Sequence, residues 1–242
     1  MKKDLIKLDN EKSVMNFLRE PTVKIAETIT GILVAEQKDW KLSAGKLVQA
    51  VIKGGLLTQL GRELEMYRNE GKIKEDYFAS NKNKATLYEL LKFLDEEIPD
   101  EELFKAMKSI FFSGISVDAG ADEELWAYEF LRTAKKLSGT ETLILKANLE
   151  IAQNRINPEI KKRLDKSPLP HSRSAWRKFL AIQMGYGDFD AIVGKYESNL
   201  ETLGLISRRA EDNRFAKDFE PTQKYRLTEF GYKFCEFMTR YE

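Results

Sequence analysis

Two stretches near the end of the chain decide its fold: Leu200-Glu201-Thr202-Leu203-Gly204-Leu205-Ile206 and Tyr225-Arg226-Leu227-Thr228-Glu229-Phe230-Gly231. Glycine commonly follows the last turn of a helix, so we expect a helix to end at Gly204 and an extended segment to follow. A charged turn then leads to a second extended segment that ends at Leu227. Thr228 is expected to cap a last helix, whose apolar stripe consists of Phe230, Phe234, Phe237 and Met238.

The residues before this stretch supply the helices that complete a known arrangement. Apolar spacing predicts helices at Glu141–Ile151, Ser174–Met184 and Phe189–Leu203, then strands at Leu205–Arg208 and Lys224–Leu227. Three helices followed by a hairpin and a closing helix are typical of a winged-helix module. In DNA-binding members the third helix enters the major groove and the hairpin, called the wing, contacts phosphates.

The first 136 residues are predicted to be helical. We expect a helix capped by Thr22 and then four more, whose positions are Ser43 to Gly71, Ala85–Leu94, a helix opened by Pro99, and Glu123–Leu137. The stretch Ser113–Asp122 is expected to be a loop, and Leu125, Tyr128 and Leu131 are expected to face inward. The fold class is therefore mainly α: a helical region at 1–136, then a winged-helix-like region at 137–242 with a small two- or three-stranded β-wing and a proline-containing linker at 154–172.

Composition limits the classes of function. The chain has 40 basic and 39 acidic residues, so no net charge attracts it to nucleic acid or to a membrane, and any such binding needs a local patch. Its single cysteine excludes an internal disulfide and favours a reducing compartment. The first residues lack the apolar run of a signal peptide, and no apolar segment is long enough to span a membrane, so we expect a cytoplasmic protein.

Local positive charge lies in the linker and in the wing. From Arg155 to Lys178 there are eight basic and two acidic residues, and the wing adds several more, Arg226 among them. Clustered bases can hold a phosphate backbone without any particular motif; a solvated linker and an ordinary charged hairpin are the alternative. The residues expected to bind nucleic acid are Lys161, Lys162, Arg163, Arg173, Arg177, Lys178, Arg208, Arg209 and Arg214.

The third helix of this region argues against that hypothesis. It contains Asp190, Glu197 and Glu201 but only one base, Lys195. Carboxylates beside phosphates are unfavourable for reading DNA bases, although Ser198 and Asn199 have the chemistry for it. The alternative function is an adaptor that docks a partner protein or a second copy through the acidic third helix and through the helix that contains Gly54 and Gly55.

No set of residues for catalysis is recognisable, and no cofactor or metal is expected. One Cys and one His cannot make a structural zinc site, His171 lies between prolines in the linker, and Cys235 fits a core position. The clusters Asp95-Glu96-Glu97 and Asp100-Glu101-Glu102 fit a helix end and a helix start. An enzyme with a site assembled from scattered carboxylates is the third possibility. The aromatic residues on the predicted helices are expected to be core residues.

The chain from Asp100 onward resembles the abortive-infection alpha family of bacterial phage-defence proteins. The segments that carry the resemblance are Asp100–Phe112, Phe130–Glu141, Ile144-Leu145, Asn199–Ile206 and Tyr225–Cys235. The resemblance implies a bacterial or phage context and a non-enzymatic part in defence or regulation. It assigns no catalytic residue.

Overall fold

The computed structural model describes residues 40–77, 79–156, 173–186, 190–207 and 226–242, together with Pro158 and Lys162. Within these residues the protein is mainly α-helical, as predicted. The helices are α1 (Trp40–Asn69), α2 (Asn81–Glu96), α3 (Glu101–Ile115), α4 (Ala121–Ala134), α5 (Gly139–Ala152), α6 (Arg173–Gln183), α7 (Asp190–Thr202) and α8 (Glu229–Thr239). The helix predicted after Thr22 lies outside the described residues.

The ends of the first two helices follow from local chemistry. After α1 the chain turns at Gly71, whose φ of +67° suits glycine. Helix α2 begins a turn earlier than its apolar pattern predicts, because the Ser80 hydroxyl accepts hydrogen bonds from the backbone N–H groups of Lys82 and Asn83. The inward side of α2 carries the predicted leucines Leu87, Leu90, Leu91 and Leu94, all buried.

Two expectations for the middle of the chain are wrong. The segment predicted as a loop from Ser113 continues as helix to Ile115, which is fully buried, and Ser116 then forms an antiparallel bridge with Ile73. Leu125 is 45% exposed instead of inward. The buried side of α4 contains Ala127, Phe130 and Leu131, and one turn earlier on that side stands Glu124 instead of Leu125.

The chain forms two compact units, and their boundary differs from the predicted one between residues 136 and 137. One unit contains the described residues up to Pro99 together with Phe111–Arg132, and the other contains Asp100–Ile110 together with the described residues of Thr133–Glu242. The chain therefore passes from one unit to the other three times: after Pro99, after Ile110 inside α3, and after Arg132 near the end of α4. The first part of α3 belongs to the C-terminal unit.

Side-chain hydrogen bonds fix Asp100–Ile110 in the C-terminal unit. The Asp100 carboxylate accepts one hydrogen bond from the Leu103 N–H and one from the Gly139 N–H, each 2.9 Å long, so one side chain caps both α3 and α5. The Ser109 hydroxyl donates to the Phe237 carbonyl at 2.8 Å and accepts from the Tyr241 N–H at 3.0 Å.

Helix α5 is the centre of the C-terminal unit. It begins with a capping box between Ser138 and Glu141, two residues before the predicted start. It contacts α6, α7 and α8, and α6 also contacts α7. Cys235 on α8 is buried against α5, where its thiol approaches the Leu145 carbonyl at 3.7 Å, and burial raises the pKa of that thiol. The cysteine is a core residue, as expected.

An antiparallel bridge between Ile206 and Leu227 follows α7. Beside it the Ser207 N–H donates to the Arg226 carbonyl at 2.8 Å, and the Thr228 N–H donates to the Leu205 carbonyl at 3.2 Å. Within the described residues the two predicted segments thus meet in a single bridge and do not form strands, whereas residues 208–225 lie outside that part of the chain. Helix α8 starts as expected, because the Thr228 hydroxyl accepts from the Gly231 N–H at 2.8 Å.

Candidate nucleic-acid interface

The structure describes part of the predicted basic patch. Lys162 and Lys178 are exposed, Arg173 is the first residue of α6, and Arg177 is partly buried. The remaining predicted residues lie outside the described part of the chain, and these are Lys161, Arg163, Arg208, Arg209 and Arg214.

Arg177 lies where α6 meets α7. Its Nε donates to Glu197 Oε2 at 2.9 Å, and 27% of its side chain is exposed. Its guanidinium group also lies close to the α7 backbone at Gly194, since a Cβ atom built on that glycine would come within 2.7 Å of Arg177 Cζ. The absence of a side chain at residue 194 therefore makes room for the guanidinium.

The other oxygen of the same carboxylate binds a second arginine. Arg226 Nη1 donates to Glu197 Oε1, and neither side chain has any exposure to solvent. Arg226 Nη2 donates to Glu201 Oε1 at 2.8 Å. Its Nε and Nη2 also donate to the Ser207 carbonyl, at 3.3 and 3.1 Å. We call Arg177, Glu197, Glu201 and Arg226 the buried ion-pair network.

The network joins three parts of the C-terminal unit. Its two arginines and two glutamates have charges that cancel, which offsets part of the several-kcal/mol desolvation penalty that each buried ion carries. The arginines come from α6 and from the second segment of the bridge, and both glutamates come from α7. The side chains consequently fix the two ends of segment 208–225 against α7.

This arrangement corrects two expectations. Arg226, counted among the cations of the wing, is fully buried and bound by carboxylates. Glu197, counted among the carboxylates that make the third helix acidic, is also fully buried, and the Glu201 side chain is only 9% exposed. The spacing could have indicated this, because Glu197 lies four residues after Val193 and three before Leu200, on the apolar side of the helix.

The outward side of α7 is consequently not acidic. Its exposed residues are Ala191, Ile192, Lys195, Ser198 and Thr202. They include one cation and no carboxylate. The partly exposed Asp190 stands at the N-terminus of the helix, where a carboxylate complements the helix dipole.

Asn199 has a structural contact that the sequence did not indicate. Its side-chain amide donates to Glu141 Oε1 at 2.7 Å and to the Lys136 carbonyl at 3.2 Å. These bonds hold α7 against the start of α5. Of the two α7 residues with base-reading chemistry, only Ser198 is exposed.

The other features weighed from the sequence are mostly structural. Phe111, Phe112, Phe130 and Trp176 have no exposure, in agreement with the predicted core packing, whereas Trp126 and Tyr128 are only partly buried. The two acidic clusters do lie at the end of α2 and the start of α3. Across the described residues, no three His, Cys, Asp or Glu side chains come together as metal ligands would. His171 lies outside that part of the chain.

Among the described helices, none combines the length and the apolar character that crossing a bilayer requires. Comparison with protein-family models, with curated proteins and with solved structures returned no match.

Proposed function

We propose that residues 137–242 form a winged-helix module that binds nucleic acid through its basic linker and wing, in a non-catalytic regulatory or defence protein. The order of elements supports this proposal. Helices α5, α6 and α7 are followed by an antiparallel bridge and then by α8, which is the order of a winged helix. Segment 208–225, between the two sides of the bridge, is the segment that we assign to the wing.

The burial of Glu197 and Glu201 is the observation that carries the nucleic-acid proposal. An acidic third helix would repel phosphates, but both carboxylates are bound by arginines inside the unit. The exposed side of α7 carries Lys195, Ser198 and Thr202 beside Ala191 and Ile192, and the polar groups among them are compatible with a DNA groove. The charge argument against binding therefore no longer rests on Glu197 and Glu201.

The binding is expected to be mostly sequence-independent. Lys161, Lys162, Arg163, Arg173, Lys178, Arg208, Arg209 and Arg214 supply long cationic side chains, which contact phosphates without distinguishing bases. Replacing Lys161, Lys162 and Arg163 together by Ala should weaken binding to all DNA sequences equally. The slope of log affinity against log salt should fall by about 0.9 for each phosphate that the variant no longer neutralises.

The measurement is fluorescence anisotropy with labelled duplexes of unrelated sequence, over a range of salt concentrations. A matched control replaces Lys82, Lys84 and Lys92 by Ala, three cations on α2 that lie in the other unit. The control has the same change in net charge and should keep the affinity and slope of the unmodified protein. Equal affinities for the two triple variants would contradict the assignment of the patch.

A role in phage defence is the biological form of this proposal, and it is supported by the resemblance described above. Bacteria that express the protein should release fewer phage per infected cell than bacteria without it. The variant that lacks Lys161, Lys162 and Arg163 should lose this effect at equal protein level. If that variant protected the bacteria as well as the unmodified protein does, defence would not depend on nucleic-acid binding by this patch.

A second candidate function is a protein-docking adaptor, which exposed apolar side chains favour. Tyr186, just after α6, is 47% exposed, and Ile192 on α7 is 41% exposed. Exposed aromatic and aliphatic groups are typical anchors of protein interfaces. Sedimentation of the purified protein tests self-association, and replacing Ile192 by Glu should abolish any dimer that uses this surface.

Gly55 on α1, with open space around it, is a second point of close approach for a partner helix.

A further inference from the structure

Arg177 differs from the other cations of the proposed patch in being fixed in position. The Glu197 carboxylate holds its Nε, and the adjacent backbone at Gly194 limits the movement of its guanidinium. A surface lysine or arginine loses side-chain entropy when it binds a phosphate. An arginine that is already held in place loses less.

The Arg177 guanidinium binds Glu197 through its Nε. Within the described residues, its Nη1 and Nη2 groups donate no hydrogen bond, and 27% of the side chain remains in contact with solvent. Nη1 and Nη2 each carry N–H donors, and together they have the planar, forked geometry that matches the oxygens of a phosphate.

Arg177 is one of the four charged groups of the buried ion-pair network. Glu197 is also paired with Arg226, which in turn binds Glu201, so the network carries no net charge once Arg177 is included. Outside it, the neighbours of Arg177 and Gly194 in sequence are Lys178 and Lys195, and both are exposed.

We infer that Arg177 is a preorganised binding site for one phosphate group of a nucleic-acid backbone, at the crossing of α6 and α7. Glu197 and Gly194 are the positioning residues of this site. The inference rests on the proposed function and deepens it, because it assigns one contact to a fixed donor and not to a mobile side chain.

The test compares Arg177→Lys with Lys178→Ala in the full-length protein, using a labelled DNA duplex and its single strand as probes. Arg177→Lys keeps the charge but loses the fork, so affinity should fall about tenfold, the size expected for one charge-assisted hydrogen bond, with little change in salt slope. Lys178→Ala loses a mobile charge, so the slope should fall by about 0.9 with a smaller loss of affinity.

Gly194→Ala is the second variant. A methyl group there would displace the guanidinium without removing any charge. It should weaken binding by about as much as Arg177→Lys, that is about tenfold, while Gly61→Ala, where a methyl group meets nothing within 4 Å, should leave binding unchanged. Circular dichroism melting curves check that each variant folds, and if Gly194→Ala does not, Arg177→Lys decides alone.

The outcomes separate this inference from the proposed function. If the unmodified protein binds DNA and the triple linker variant does not, but Arg177→Lys binds normally, the phosphate site is overturned and the proposed function stands. If the unmodified protein binds neither probe, both are overturned. Selective loss of binding in Arg177→Lys and Gly194→Ala supports the site.

Discussion

Arg226 and Glu197 have no exposure to solvent, and each is bound by more than one partner. Charges buried in this way are favourable only as a set, because removal of one partner leaves the other charged and desolvated. The stability of the C-terminal unit should therefore be far more sensitive to these two residues than to the exposed cations around them.

Replacing Arg226 by Met tests this directly. The variant should lose about 3 to 5 kcal/mol of unfolding free energy, the usual cost of breaking a buried ion pair from one side. Urea unfolding of both proteins gives the difference. Lys195→Met, on the exposed side of α7, is the control and should change stability by less than about 0.5 kcal/mol. The double variant Glu197→Leu with Arg226→Met should be more stable than Arg226→Met alone.

Glu124 in the N-terminal unit is a second residue with a calculable effect, here on pH dependence. Its carboxylate accepts from the Ser80 hydroxyl at 2.5 Å and from Lys74 Nζ at 3.1 Å. Burial alone would raise the pKa of Glu124, but the Ser80 and Lys74 contacts outweigh it, with a smaller contribution from the Asn83 amide, so the pKa lies below its ordinary value. The ionised form is thus favoured by folding.

Because the pKa of Glu124 is lowered in the folded state, its ionised carboxylate stabilises the fold at pH values above the ordinary glutamate pKa. This stabilisation is lost as the pH falls through the lowered pKa of the folded protein. Glu124→Gln should therefore be about 1 kcal/mol less stable than the unmodified protein at neutral pH. The difference should shrink as the solution is acidified. Urea unfolding across that pH range measures it, with the exposed Glu65→Gln on α1 as control. A difference that stays constant with pH would contradict the assignment.

At the scale of elements, α8 and the first segment of the bridge approach each other closely. A Cβ atom on Gly231 would overlap the Leu205 carbonyl group, which is backbone and cannot rotate away. Any side chain at residue 231 must therefore move α8 or the bridge.

Gly231→Ala should accordingly destabilise the protein by about 2 kcal/mol, within the usual range for overpacking. The matched control is Gly61→Ala on α1, where nothing lies within 4 Å of the added carbon. That change should stabilise α1 by about 1 kcal/mol through helix propensity alone. Thermal unfolding followed by circular dichroism measures the melting temperatures of both variants. Equal shifts in melting temperature for Gly231→Ala and Gly61→Ala would show that the overlap is absent in solution.

The elements could be predicted from the sequence far better than the directions of single side chains. Helix positions follow from repeated apolar spacing and from local caps such as Ser138 and Thr228, which depend only on neighbouring residues. Leu125 was wrongly predicted to face inward because an error of one residue in the assignment of the helix face places Leu125 where Glu124 lies. Arg226 is buried because it binds carboxylates that lie more than twenty residues earlier in the chain. A count of charged residues cannot show this pairing, so Arg226 was included among the exposed cations.

At the scale of the whole molecule, the predicted boundary at residue 137 leaves out residues that the C-terminal unit needs. Asp100 caps α5, Lys146 on α5 pairs with Glu102 at 2.9 Å, and Ser109 binds the backbone of the last residues. None of these contacts is local in sequence. Chain order alone could not assign the start of α3 to the later unit.

A fragment of residues 137–242 should therefore be less helical per residue than the same region in the full protein, and its unfolding should be broad. Addition of a synthetic peptide that spans Asp100–Ile110 should restore part of the helicity, because it supplies the partners of α5 and of the last residues again. A peptide with Asp100 and Ser109 replaced by Ala is the control. Cooperative unfolding of the fragment alone, with the midpoint of the full protein, would contradict this division.

The hydrogen bonds at Ser207 and Arg226 have a consequence for how this protein can diverge. They fix the two ends of segment 208–225 independently of what that segment contains. Lengthening a loop with fixed ends costs little closure entropy. Insertions, deletions and exchanged sequences should thus be tolerated there while the helices stay unchanged, so relatives of this protein can differ in this segment without losing the fold.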